Sequence, residues 1–142
     1  MTTIAWRDGV LAADSQTTSG TTKATWPKLF RLPDGRAVAF AGDYGSGFRF
    51  VECLRAGDPY SPRQGEDFIA IVMRKDGSAW LYENGALHGR IKDKFYAIGS
   101  GAPFALGAMT AGATARGAVK AAAQFDCYTG GRVKQVATKG RK

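Results

Sequence analysis

Apolar and polar residues alternate in short runs along most of the chain. Four of these runs are separated by tight-turn dipeptides: Asp8-Gly9, Asp34-Gly35, Asp76-Gly77 and Asn84-Gly85. Such pairs between β-rich runs are strong hairpin signals, because two-residue primed turns need positive φ. The pattern predicts strands over 3–6 paired with 10–14, 28–32 with 36–41, and 68–74 with 79–82. Runs 86–91 and 95–98 extend the last series as a meander, and a final strand covers 133–138. Helical spacing takes over at 44–56, through Phe48, Val51, Cys53 and Leu54. It returns after Gly99-Ser100-Gly101, where Pro103 suits a first turn and the helix runs to about residue 111. A third helix covers roughly 114–125, and its many alanines permit close packing. Segment 57–66, with Pro59 and Pro62, reads as a loop. The predicted class is α+β: two antiparallel sheets of about five strands face each other, with helices outside. That is a four-layer α-β-β-α sandwich, and residues 1–142 read as one domain.

Composition narrows the reading. A 142-residue chain that is 44% hydrophobic and 11% aromatic suits one packed core. No stretch approaches the ~18 apolar residues of a spanning helix, and no basic-then-apolar leader is visible, so a cytoplasmic protein without a membrane partner is expected. Cys53 and Cys127 lack metal-ligand spacing and read as free, buried thiols. Net charge is +8, but five basic residues fall in the tail at 132–142, leaving fifteen basic against twelve acidic elsewhere. Such a tail reads first as a solvated end, with contact to nucleic acid or an acidic partner surface as the alternative, and the lack of aromatics between its charges argues against nucleic-acid binding as the main role.

Candidate chemistry starts at the second residue. Removing Met1 would leave Thr2 with a free α-amine beside its own hydroxyl, and an amine with an ordinary pKa of roughly 7.7–8.0 can accept that proton. The plain alternative is a threonine at a frayed end. The Gly99-Ser100-Gly101 turn lacks the βαβ surroundings of a phosphate cradle. His88 is the single histidine and sits by a hairpin, which argues against a Ser-His-Asp triad. No His/Cys metal cluster is present. Asp14 ends the second strand, Lys28 begins the third, and Ser100 and Asp126 flank the last two helices. Each has a local explanation as turn, surface charge or cap. Asp126 fits its own poorly, since a carboxylate at a helix C-terminus opposes the dipole and so suggests a partner.

Taken together, these segments resemble the proteasome β-subunit family, and most closely the bacterial ATP-dependent HslV-type peptidases, which are N-terminal-nucleophile hydrolases. The similarity rests on Thr2-Thr3-Ile4, the Ala13-Asp14-Ser15-Gln16-Thr17-Thr18 stretch, Lys28-Leu29-Phe30-Arg31-Leu32 and Ala39-Phe40-Ala41-Gly42. It continues through Ala97-Ile98-Gly99-Ser100-Gly101 and Gln124-Phe125-Asp126-Cys127-Tyr128-Thr129-Gly130.

The resemblance implies Thr2 as nucleophile and base, with Asp14 and Lys28 paired beside it and Ser100 and Asp126 orienting its amine. It further implies the Ala39 backbone N–H as oxyanion donor and Thr18 along a substrate strand. A sodium ion on the carbonyls of Ala123, Asp126 and Thr129 would be an optional addition, with no cofactor required. The implied activity is hydrolysis of unfolded polypeptide in a homo-oligomeric ring fed by an ATPase; the alternative is a non-catalytic structural subunit. Three departures stand out: Ala39 replaces the family's usual glycine, the loop 57–66 replaces a second long helix so that one outer layer is shortened, and activity depends on Met1 being removed.

Overall fold

A computed structural model describes residues 2–138; Met1, and with it the question of its removal, lies outside the described residues, as do the basic positions from 139 onward. Strands β1 (Thr3–Arg7) and β2 (Val10–Ala13) form the first hairpin. Its turn is a two-residue primed type, with φ of 52° at Asp8 and 71° at Gly9, and Asn84-Gly85 repeats it at 51° and 86°. The other two dipeptides differ from expectation. At Asp34-Gly35 and Asp76-Gly77 only the glycine has positive φ, and the closing bonds run from Leu32 N–H to Arg36 and from Arg74 N–H to Ser78. These are three-residue loops ending on a left-handed glycine.

Five strands form one sheet in the order β5 (Leu29–Arg31), β6 (Ala37–Gly42), β7 (Phe68–Met73), β8 (Ala79–Glu83), β9 (Ala86–Arg90). The predicted meander stops there. Strand β10 (Phe95–Gly99) crosses to the other sheet, ordered β10-β1-β2-β11 with β11 (Lys134–Ala137). The cause is burial on both sides. Ile98 packs between the sheets while Ala97 faces the helices, so β10 needs a doubly covered place beside β1, whereas Ala86, Leu87 and His88 of β9 are exposed. The second correction is an unpredicted two-stranded hairpin, β3 (Gln16–Ser19) with β4 (Thr22–Thr25).

Period-two alternation builds the layers. Ile4, Trp6, Leu11 and Ala13 face Leu29, Ala39, Ile71 and Leu81 of the second sheet. Ala5, Ala12 and Ala97 point the other way, and their small size admits Met109 of α2 (Ala102–Thr110) and Ala118 and Val119 of α3 (Ala115–Phe125). On the far side of the five-stranded sheet, Val38, Phe40 and Val72 receive Phe50 and Val51 of α1 (Tyr44–Ala56). Burying each of those two α1 side chains contributes about 1.5–3 kcal/mol. The four layers are therefore present as expected.

Helix α1 begins at Asp43, whose carboxylate accepts the Ser46 N–H at 3.0 Å, and ends at left-handed Gly57. Its buried stripe is Ser46, Gly47, Phe50 and Val51, while Phe48 stays 40% exposed. No second helix follows α1. Instead Glu66 accepts bonds from Arg49 (2.9 Å) and Tyr60 (2.6 Å), and the Tyr60 ring lies 5.4 Å from Phe50. The Tyr60 bond pushes Glu66 down to about 2, while burial and that same bond push Tyr60 up to about 12. One helix plus a pinned loop thus forms the shortened outer layer. Among the described residues no helix is long and apolar enough to cross a membrane, and both cysteines are free, but against expectation Cys53 is only half-buried and Cys127, in the turn after α3, is exposed.

Candidate active site

Thr2 stands directly before β1, the strand flanked by β10 and β2, and is 1% exposed. Its carbonyl accepts from Gly101 N–H at 3.4 Å, and Ser100 Oγ stands at the same distance. A frayed end is thereby excluded. Gly99, with φ of 98°, is required here, because a Cβ would collide with the Thr2 carbonyl.

The β1–β2 register sets Ile4 opposite Ala13, which brings Asp14 beside Thr3 and Thr2. Asp14 takes N–H donors from Thr3 (3.1 Å) and Gly130 (3.0 Å). Lys28 arrives from the opposite sheet, immediately before β5, and its Nζ lies 3.2 Å from Asp14 Oδ1. The Thr2 hydroxyl donates to Asp14 and accepts from Lys28, and Lys28 also donates to the Gln16 carbonyl. Burial raises the Asp14 carboxyl despite the opposing pull of Lys28. Burial likewise lowers Lys28, against the stabilising charges of Asp14 and Asp126. Lys28 therefore releases a proton more readily than a solvated lysine.

The second cluster explains the misplaced carboxylate at the end of α3. Asp126 Oδ2 accepts from Ser100 Oγ and Thr129 Oγ1, each at 2.6 Å, and Oδ1 from Tyr128 N–H at 3.2 Å. Burial favours the neutral acid, but the bonds from Ser100 and Thr129 outweigh it and hold the carboxyl below its ordinary range. Thr129 gives its hydroxyl proton to Asp126, so Thr3 donates to Thr129 across 2.7 Å. Ser100 thus links Asp126 to the Thr2 backbone. Thr3 and Thr129 were not singled out as side-chain contributors; the signal was their polarity at positions that the strand and turn bury.

A cleft of about 380 Å³ opens in front of Thr2 and Lys28. Thr17, Thr18 and Ser19 of β3 line one side, and Phe40, Gly42 and Tyr44 line the other. Ala39 is not on it. That residue is 0% exposed in the core between the sheets. Along β6, N–H groups point alternately to the two neighbours. Phe40 donates to Lys28 on the β5 side and Asp43 to Asp67 on the β7 side, so Ala39, in step with Asp43, faces β7. Gly42 is in step with Phe40 but lies beyond the end of β5, so its N–H faces the cleft. Its φ of 107°, and the closeness of the Asp67 carbonyl to where a Cβ would stand, demand glycine. The resemblance implies Ala39 as oxyanion donor, but the backbone directs the Ala39 N–H to β7 and not into the cleft, where Gly42 lies.

Ala123 lies in the last turn of α3, Asp126 caps that helix and Thr129 follows in the next turn, a region where helix carbonyls lack intrahelical partners. Oxygen donors of this kind suit a hard cation, although Asp126 O already accepts Thr129 N–H at 3.0 Å. Among the described residues no His, Cys, Asp or Glu cluster could hold a metal ion.

No protein-family model matches the sequence, and no curated protein matches it. Solved structures do match over nearly the whole chain, an HslV among them, and the likeness is one of fold. The chain superposes on Thiobacillus denitrificans BPH with a TM-score of 0.69 at 23% identity, covering 98% of each chain. The same protein in complex with epoxomicin matches at 0.69 and 24%, covering 97% of this chain and 98% of that one. Eukaryotic HslV from Trypanosoma brucei matches at 0.72 and 21%, covering 95% and 97%.

Proposed function

We propose that the chain is an N-terminal-nucleophile threonine peptidase that hydrolyses unfolded polypeptide once Met1 is removed. The observation that carries this reading is the Thr2 hydroxyl, held between Asp14 and Lys28 at the head of an open cleft. The freed Thr2 amine takes the hydroxyl proton as Oγ1 attacks the substrate carbonyl carbon. The resulting oxyanion is met by the Gly42 N–H, and one such donor is worth about 2.7–4 kcal/mol of barrier. Collapse expels the leaving amine, which takes the proton back from the Thr2 ammonium and leaves an ester on Thr2. Water, deprotonated by the same amine, then hydrolyses that ester. Lys28 stabilises the developing alkoxide, Asp14 positions Lys28, and Ser100 and Asp126 orient the amine.

A sodium ion on the Ala123, Asp126 and Thr129 carbonyls would stiffen that turn, and no step depends on it. A homo-oligomeric ring, a cytoplasmic setting and an ATPase that feeds substrate belong to the same proposal and are supported by the likeness of fold. The shortened outer layer favours a second reading, a non-catalytic structural subunit.

Intact mass and hydrolysis of short fluorogenic peptides separate the two. Loss of Met1 together with hydrolysis that disappears in Thr2→Ala supports the peptidase. A retained methionine, or equal rates in wild type and variant, overturns it. Light scattering after size exclusion tests the ring.

A further inference from the structure

On the cleft wall opposite the threonine hairpin, Tyr44 presents a partly exposed ring backed by Phe40, which is 1% exposed. Phe40 and Tyr44 line it, with ring centroids 5.1 Å apart and edge to face. Tyr44 also stacks on Phe48 at 6.2 Å and meets Trp26, which is 53% exposed, at 5.6 Å. Both charged groups that line the cleft are already engaged. The Asp43 carboxylate accepts Ser46 N–H and Oγ at 3.0 and 2.6 Å, and Lys28 is paired with Asp14. A charged substrate side chain seated there would lose water without gaining a partner, whereas an apolar one would gain ring contact.

The Tyr44 hydroxyl donates to the Pro27 carbonyl at 2.6 Å, on the residue directly before Lys28. The same short segment is tied by Trp26 N–H to the Ser15 carbonyl (2.9 Å) and by Phe40 N–H to the Lys28 carbonyl (3.2 Å). Tyr44 is thus the one side chain in the cleft wall with a ring facing the space for substrate and a polar tip fixing the backbone that delivers Lys28.

We propose that Tyr44 is a positioning residue that couples recognition of an apolar substrate side chain, through its ring, to the placement of Lys28, through its hydroxyl and Pro27. This rests on the peptidase reading above. The ring sets preference and the hydroxyl sets rate, so the two functions separate by substitution.

The test uses full-length protein with Thr2 freed, and two peptides that differ only in carrying Phe or Glu before the scissile bond. Wild type should prefer Phe by at least about tenfold in kcat/KM, the discrimination that one or two methylenes provide in an apolar pocket. Tyr44→Phe should keep that preference and its KM, lower kcat by about five- to tenfold (the equivalent of one lost hydrogen bond) and shift the pH profile. Tyr44→Ala should lose the preference. An unchanged kcat and pH profile in Tyr44→Phe, or a preserved preference in Tyr44→Ala, overturns the proposal. If wild type cleaves neither peptide, the peptidase reading fails by itself, and two measurements without turnover decide the coupling. Titration of the carbon-13-labelled Lys28 side chain by NMR should differ between wild type and Tyr44→Phe, and N-acetyl-phenylalaninamide should perturb cleft resonances where the glutamate analogue does not. Identical titrations, or no discrimination between the amides, refute it.

Discussion

Replacing Asp14 with Leu is the sharpest test of how the site is held together. The Asp14–Lys28 pair is almost completely buried, with side chains 0% and 4% exposed. Removing the acid strands a lysine in low dielectric and takes the acceptor from the Thr3 and Gly130 amides. Breaking a buried pair from one side costs about 3–5 kcal/mol. Lys28→Met is milder, because Asp14 keeps those two amide donors; about 1.5–3 kcal/mol is expected, the worth of a hydrogen bond to a charged group. At roughly 3 °C per kcal/mol for a chain of this size, the melting points should fall by about 9–15 °C and about 4–9 °C. The double variant, with an apolar pair in the same space, should lose at least about 1 kcal/mol less than the sum of the single losses. Thermal and urea unfolding followed by circular dichroism supplies all four corners of the cycle. If Asp14→Leu proves no worse than Lys28→Met, or if the two losses simply add, then the carboxylate is not the hub that the geometry makes it.

The remaining predictions concern neighbouring groups. Asp126 is held below its ordinary value, so its contribution to stability is present above pH 3.8 and is lost as pH falls through the lower folded value; Asp126→Asn should flatten the acid limb of melting point against pH, and an unchanged limb would refute the assignment. Gly42→Ala should cost about 1–3 kcal/mol of stability from backbone strain and reduce kcat on fluorogenic peptides by about a hundredfold or more. Ala39→Gly should leave kcat as it is; a loss confined to Ala39→Gly would return the oxyanion role to that residue.

Much of this architecture is legible in the sequence because local signals and tertiary demands agree. Asp8-Gly9 and Asn84-Gly85 make the turns that their chemistry favours. The helix expected at 44–56 has those bounds in the structure, fixed by the Asp43 cap and left-handed Gly57. Asp126 was readable as out of place at a helix end, and its three donors supply the reason. What escaped reading depends on partners distant in sequence. Strand β10 has the same apolar run whichever sheet it joins, and only burial on both faces assigns it to β1. The β3–β4 hairpin escaped because Thr and Ser, at Gln16–Ser19 and Thr22–Thr25, lack the apolar alternation of a half-buried sheet. Gly42 rather than Ala39 follows from the direction of an N–H group, which no pattern of residue types records.

The position of β1 has a consequence for how the protein is made. One neighbour, β10, pairs Thr3 with Gly99, and β2 on the other side is itself completed by β11, where Lys134 meets Ala13. A ribosome delivers the N-terminal segment first, yet the last two members of this sheet emerge roughly a hundred residues afterwards. Pairings so distant in sequence slow folding, so this sheet is expected to close late. The candidate site around Thr2 is thus completed only by strands that follow it at a long distance in sequence.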